Sequence, residues 1–122
     1  TTAVTCRVDM YEPNDDAANA RAMNPGSFSG LGACAGNDDF YSISLTTGQT
    51  LTASAMFPHA EGDIDMTIID PAGSVVDSGI SSDNDETVSH TATADGAHLV
   101  RVYLFRDQGT APGNTYDLNL SR

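Results

Sequence analysis

Side-chain oxygens are concentrated in an acidic segment at residues 11–16, with the sequence YEPNDD. Pro13 fixes its own φ and favours an extended conformation of Glu12, while Asn14 and Asp15 commonly form turns. Such a loop can direct carboxylate, amide and backbone oxygens at one point. Calcium binds about six to eight oxygen ligands at about 2.3–2.6 Å, and this segment can supply about half of them.

A second group of oxygen donors, Asp38 and Asp39, directly precedes the first strongly strand-like run. These aspartates can complete the ligand set that Glu12, Asn14 and Asp15 begin, because a calcium ion needs more oxygens than one short segment offers. The alternative is a pair of solvated acidic turns without a metal. The residue types therefore predict either a calcium site shared by the two segments or an acidic surface.

A further pair of carboxylates, Asp63 and Asp65, alternates with apolar residues and so lies on one face of a predicted strand. This pair can meet the acidic segment that ends at Glu86 around a second cation, with Asp83 and Asp85 as the additional ligands. The alternative is that the two aspartates accept backbone hydrogen bonds where the strand begins. The run does not match the D-x-D-x-D-G pattern of an EF-hand loop.

Residue types found in hydrolases are present, but their spacing matches neither a zinc-protease nor a serine-hydrolase motif. The sequence contains no H-E-x-x-H and no G-x-S-x-G. His90 and His98 fall on predicted strands, where packing explains them, and His59 is expected in an exposed loop. The sequence therefore predicts no catalytic residues and a domain that is not an enzyme.

Arg101, Tyr103 and Phe105 alternate along one predicted strand and can form an aromatic and cationic face for a sugar or peptide ligand. Arginine and tyrosine are common among the residues that dominate binding energies at recognition surfaces. The alternative is that this face of the strand belongs to the core.

The charge balance excludes several classes of partner. The 122 residues include 17 acidic residues and five arginines but no lysine, and the formal net charge is -12. Nucleic acids and anionic membranes select clustered lysine and arginine, so we expect neither as a partner. A chain of this length can bury its own core, which predicts a single domain that folds as a monomer.

The remaining composition is typical of a secreted protein. Apolar runs are only a few residues long, so no signal peptide or membrane span is apparent, and we expect a fragment of a longer secreted chain.

Cys6 and Cys34 are too far apart for a C-x-x-C motif, and a disulfide between them would stabilise the fold by about 3–4 kcal/mol. The alternative is a pair of reduced, buried thiols.

The elements that must position these residues are almost all strands. Residues 17–23 predict a helix of one or two turns, and from Ser27 onward short β-prone runs alternate with turn residues. Residues 41–45 and 51–57 are predicted to pair as a hairpin, and residues 64–68 and 74–79 as another across the turn at residues 70–73. The spacing of about eight strands predicts an antiparallel β-sandwich or barrel.

Five segments occur in an order that resembles the bacterial pre-peptidase C-terminal domain family. They are YEPNDDAANA, DDFYSISLTTGQTL, HAEGDIDMTIIDPAG, DGAHLVRVY and NTYDLNL. The resemblance extends from Asp9 to Leu120 and implies a secreted, all-β, antiparallel jelly-roll-like β-sandwich beside the catalytic domain of an extracellular protease. Residues 9–24 would then be an acidic N-terminal linker segment.

The collagen-binding domains of clostridial collagenases are similar to this family, and the resemblance implies a calcium site. In those domains the segment that matches Glu12, Asn14 and Asp15 helps to bind calcium. The site here would be closed by Asp39, with Asp38 and the carbonyl of Tyr41. The sequence lacks the aromatic-rich collagen-binding strand of those domains, so the implied partner is an extracellular protein or polysaccharide substrate of unspecified type.

Overall fold

A computed structural model of the chain describes residues 17–33, 38–57, 62–79, 85–107 and 114–122. Within these residues the regular elements are a 3-10 helix at Ala17–Asn19 and nine strands. The strands are β1 Arg21–Ala22, β2 Gly26–Ala33, β3 Asp39–Leu45, β4 Thr50–Met56, β5 Gly62–Ile69, β6 Val75–Gly79, β7 Asp85–Thr91, β8 Gly96–Asp107 and β9 Asn114–Ser121.

The strands form two sheets that pack face to face. One sheet has the order β1-β3-β8-β5-β6 and the other has the order β2-β9-β4-β7. All pairs between described strands are antiparallel except β1 with β3. The predicted antiparallel β-sandwich is therefore confirmed, with short β1 added in parallel at one edge.

The core lies between the sheets and is built from alternate residues of each strand. β3 and β4 show this alternation clearly, since apolar side chains are buried at every second position. The inner face of the first sheet includes Tyr41, Ile43, Ile64, Met66, Ile68, Val100 and Val102, and that of the second includes Leu31, Leu51, Val88, Tyr116, Leu118 and Leu120. The period-two pattern of the sequence thus identifies the buried faces correctly.

The predicted pairing of residues 41–45 with residues 51–57 is wrong. β3 and β4 lie in different sheets, and the chain crosses from one layer to the other between them. Alternation shows which face of a strand is buried but not which strand lies beside it. The second predicted hairpin is confirmed, since β5 pairs with β6 and the carboxylate of Asp70 accepts hydrogen bonds from the N–H groups of Ala72 and Ser74.

The predicted helix at residues 17–23 is also wrong over most of its length. The 3-10 helix ends at Asn19, and the chain continues into β1 beside β3. The Met23 N–H donates to the Ser42 carbonyl at 2.8 Å. A helix of one or two turns gains few hydrogen bonds for its nucleation cost, so pairing with an open sheet edge is preferred.

Two connections lie side by side at one end of the sandwich, which we call the turn end: residues 46–49 between β3 and β4, and residues 92–95 between β7 and β8. The Gly48 N–H donates to the Ala92 carbonyl, and the Ala92 N–H donates to the Gln49 carbonyl, both at 2.8 Å. Asp95 accepts hydrogen bonds from the N–H and the hydroxyl of Thr47. These contacts fix the two crossings to each other.

The opposite end of the sandwich, where β3, β5 and β7 begin and β6 ends, carries most of the predicted ligands. We call it the acidic end and define it by Asp38, Asp39, Asp63, Asp65 and Glu86. No helix in the described part of the chain is long and apolar enough to cross a bilayer.

Candidate functional site

Three carboxylates converge at the acidic end. Asp63, Asp65 and Glu86 each offer an oxygen, and these oxygens all lie within 4.8 Å of one another. Asp65 and Glu86 are both 3% exposed, whereas Asp63 is partly exposed with a buried Oδ1. We refer to these residues as the carboxylate cluster.

The two sheets contribute different members of the carboxylate cluster. β5 extends beyond β6, because the last pair between them joins Met66 to Gly79, and Asp63 and Asp65 lie on this extension. Glu86 comes from β7 of the other sheet. The cluster therefore joins the two layers next to the point where β6 ends.

Gly79 provides the space for the Glu86 carboxylate. A Cβ at position 79 would lie 2.8 Å from Glu86 Oε2, so the carboxylate would have to move, and 3.1 Å from Val88 Cγ1, which is a tight contact. The φ of Gly79 is outside the left-handed region, so close packing rather than backbone conformation is the reason for glycine here.

Several oxygens of this region have no hydrogen-bond partner. Among the described residues, Asp63 Oδ1, Asp65 Oδ1 and Thr67 Oγ1 are buried without one. Burial, together with the nearby charges of Asp63 and Glu86, raises the pKa of Asp65 to about 7. The cluster therefore concentrates negative charge that no hydrogen-bond donor to these oxygens compensates.

The sequence predicted that Asp63 and Asp65 would meet Asp83 and Asp85 at this site. The structure places Glu86, not Asp85, beside the first two, because neighbouring residues of a strand point to opposite faces and Asp85 is exposed. Asp83 lies outside the described residues. The alternation of Glu86 with buried Val88 was the sequence signal for this difference.

Asp38 and Asp39 point to opposite faces of the first sheet. Asp39 is completely buried, and its Oδ2 accepts a hydrogen bond from the Tyr116 hydroxyl at 2.6 Å. A phenol has one proton, so the 2.6 Å contact between the hydroxyls of Tyr116 and Tyr41 has Tyr41 as donor. Burial, with the neighbouring Tyr41 and Asp39, raises the pKa of Tyr116. Asp39 thus belongs to a buried chain of hydrogen bonds that the sequence did not reveal.

Asp38 forms an ion pair on the outer face of the first sheet. Its Oδ2 lies 2.7 Å from Arg101 Nε and 2.6 Å from Arg101 Nη2. The guanidinium carbon lies 4.4 Å from the centroid of the Tyr103 ring, within the range of a cation–π interaction. Arg101 and Tyr103 therefore form a platform, and β8 also contains Phe105, whose side chain is outside the description.

The other predicted site residues are not all described. Glu12, Asn14 and Asp15 lie outside the described residues, as do Cys6, Cys34 and His59. Tyr41 has a strand neighbour on either side, Arg21 and Val100, which places its carbonyl within the sheet. The calcium site and the disulfide stay predictions.

The two described histidines take part in packing. His98 is 1% exposed and its Nδ1 lies 3.1 Å from the Gly96 carbonyl oxygen. The ring of His90 is 5.8 Å from that of His98 between centroids. This arrangement agrees with the packing role expected for both from the sequence.

Two solved structures are similar to this chain. A solved structure, the pre-peptidase C-terminal domain of collagenase from Bacillus anthracis, matches with a TM-score of 0.66 and 17% identity, covering 84% of this chain and 94% of that one. PliG of Aeromonas hydrophila, a periplasmic inhibitor of g-type lysozyme, matches with a TM-score of 0.43 and 13% identity, covering 84% and 96%. The second similarity is too low to support an argument. No curated protein is significantly similar.

The model of one protein family matches the sequence directly. The bacterial pre-peptidase C-terminal domain model covers residues 38–104, which include β3 to most of β8 and all three members of the carboxylate cluster. This range is more than half of the 122 residues, and the first solved structure has the same fold. The chain therefore belongs to the bacterial pre-peptidase C-terminal domain family.

Proposed function

We propose that this chain is a non-catalytic accessory domain of a secreted bacterial protease and that calcium stabilises it. The family match over residues 38–104 is the observation that carries the accessory role. The domain would lie beside the catalytic domain of its parent chain and assist substrate engagement, secretion or stability. An extracellular location agrees with the acidic composition and with the net charge of -12.

Calcium would act by joining the N-terminal acidic segment to the sandwich. Glu12, Asn14 and Asp15 would provide ligands from the segment, and Asp39 would be the first ligand from β3. A metal that binds only the folded state stabilises it by mass action, and it would also order the linker to the neighbouring domain. One oxygen of each of these aspartates already has a partner, the Arg101 guanidinium for Asp38 and the Tyr116 hydroxyl for Asp39.

Thermal unfolding of the chain tests the calcium proposal. Saturating calcium is expected to raise the Tm above that in excess EDTA, and a Glu12→Gln/Asp15→Asn double variant should reduce the increase. Identical melting curves with calcium and with EDTA would contradict the proposal.

Peptidase activity in the isolated chain that is lost on replacing one histidine would contradict the non-catalytic role.

A second candidate function is a binding module for extracellular protein or polysaccharide. The observation that favours it is the outward-facing pair of Arg101 and Tyr103, which is partly exposed and held in place by Asp38. Depletion of the chain from solution by insoluble collagen or polysaccharide would support this function. The Tyr103→Ala variant should then remain in solution, whereas an unchanged depletion would exclude the platform as the binding surface.

A further inference from the structure

We propose that Asp63, Asp65 and Glu86 bind a divalent cation of the calcium type, at a site separate from the one formed with the N-terminal segment. None of the three residues belongs to the set of Glu12, Asn14, Asp15 and Asp39. The proposal therefore holds or fails independently of the first calcium site.

The size of the carboxylate cluster suits such an ion. Oxygens bound on opposite sides of one calcium ion are about 5 Å apart, because each lies at about 2.3–2.6 Å from the metal. The three carboxylate oxygens lie within 4.8 Å of one another, so a single ion between them can contact all three. Hard oxygen donors without nitrogen or sulfur favour calcium, magnesium or manganese over zinc or copper.

The hydrogen bonding of Asp65 provides independent support. Asp65 is only 3% exposed, yet its Oδ1 has no hydrogen-bond partner. Buried carboxylates in folded proteins are normally paired or bind a metal, since the desolvation cost is otherwise uncompensated. Asp63 Oδ1 is likewise buried and without a partner, so two oxygens of the cluster are available to a cation.

Two neighbouring residues, Gly79 and Thr67, suit the cluster to binding an ion. Gly79 leaves room for the Glu86 carboxylate, which a Cβ would contact at 2.8 Å. Thr67, two residues after Asp65 on the same face of β5, adds another buried oxygen without a partner. A bound ion would link β5 of one sheet to β7 of the other, next to the point where β6 ends.

Calcium titration by calorimetry of the chelator-treated chain tests this site. In the Glu12→Gln/Asp15→Asn background, which removes the first site, we expect one calcium ion to bind. Adding Asp65→Asn or Glu86→Gln to that background should weaken this binding at least about tenfold, as expected for loss of a charged ligand. Asp95→Asn, an aspartate substitution at the turn end, is the matched control and should leave the affinity unchanged.

Terbium luminescence adds a readout that locates the ion. The chain has four tyrosines and no tryptophan, and Tyr103 is directly opposite Asp65 in the sheet. In the same background, terbium emission excited through tyrosine should fall in Tyr103→Phe while calcium affinity is unchanged. Circular dichroism of each variant establishes that it is folded before binding is compared.

Two results would overturn the proposal. The first is a folded Glu12→Gln/Asp15→Asn chain that binds no calcium, which would indicate that the three carboxyl groups share protons instead of a metal. The second is calcium binding that persists with unchanged affinity in both Asp65→Asn and Glu86→Gln. Neither result bears on the first site, which is tested by the double variant itself.

Discussion

Asp95 and Asp65 lie at opposite ends of the sandwich and have opposite surroundings. Asp95 Oδ1 accepts the Thr47 N–H at 2.7 Å and the Thr47 hydroxyl at 2.9 Å, and these donors lower its pKa. Asp65 is buried beside two other carboxylates, its Oδ1 receives no hydrogen bond, and its pKa is raised. The same side chain joins two connections through hydrogen bonds at the turn end, whereas at the acidic end it lies among carboxylates and has a buried oxygen without a hydrogen-bond partner.

The largest expected effect concerns the pH dependence of the metal-free protein. The pKa of Asp65 is 3.8 when unfolded and about 7 when folded, so the folded state binds more protons between these values. Stability in EDTA should therefore fall as pH rises from about 4 to 7, by up to about 4 kcal/mol, since each unit corresponds to about 1.4 kcal/mol. Urea unfolding at pH 5 and pH 8 should show the larger part of this loss in the native chain but not in Asp65→Asn. An equal loss in both proteins would show that folding does not raise the pKa of Asp65.

An intermediate effect is expected for the buried hydrogen-bond chain at the acidic end. Tyr116→Phe removes the hydroxyl that donates to Asp39 and should lower the free energy of unfolding by about 2–3 kcal/mol, because the acceptor is a buried carboxyl. Tyr41→Phe removes the hydroxyl that contacts the Tyr116 hydroxyl and should cost about 1 kcal/mol. Denaturant unfolding of both variants measures the difference. A Tyr116→Phe variant as stable as the native chain would show that Asp39 does not depend on the Tyr116 donor.

The smallest effect is expected at the turn end. Asp95→Ala should lower the Tm slightly near pH 7 because the Thr47 donors lose their acceptor, although water can replace it at this exposed position. A lowered pKa contributes stability above the unfolded value of 3.8, and this contribution is lost as pH falls through the folded value. The difference in Tm should therefore disappear in acid. Asp95→Asn keeps an acceptor oxygen and should cost less, and a difference that persists in acid would exclude this role of the carboxylate.

Sequence patterns predicted the faces of the strands better than their partners. Alternation at residues 41–45 and 51–57 identified the buried side chains, because burial of every second residue is a local property. The assignment of these strands to separate sheets depends on contacts with β8 and β9, which are distant in sequence. No local pattern contains that information.

For the acidic end, likewise, the sequence indicated some of the residues that lie together but not their contacts. Asp63 and Asp65 were recognised as a pair, and strand alternation would have identified Glu86 in place of Asp85 had it been applied to residues 85–88. The hydrogen bond from Tyr116 to Asp39 was not predictable, since it joins the two layers across most of the chain. The space at Gly79 was not predictable either, because it depends on packing between β6 and β7.

The position of the last strand has a consequence for how the domain is made. β9 lies between β2 and β4 in the second sheet, although it is the final strand in the sequence. β2 and β4 do not pair with each other, so this sheet cannot be completed until residues 114–121 are available. Folds dominated by such distant pairings fold slowly, over milliseconds to seconds. We therefore expect folding of the domain to be completed slowly, and only once β9 has been synthesised.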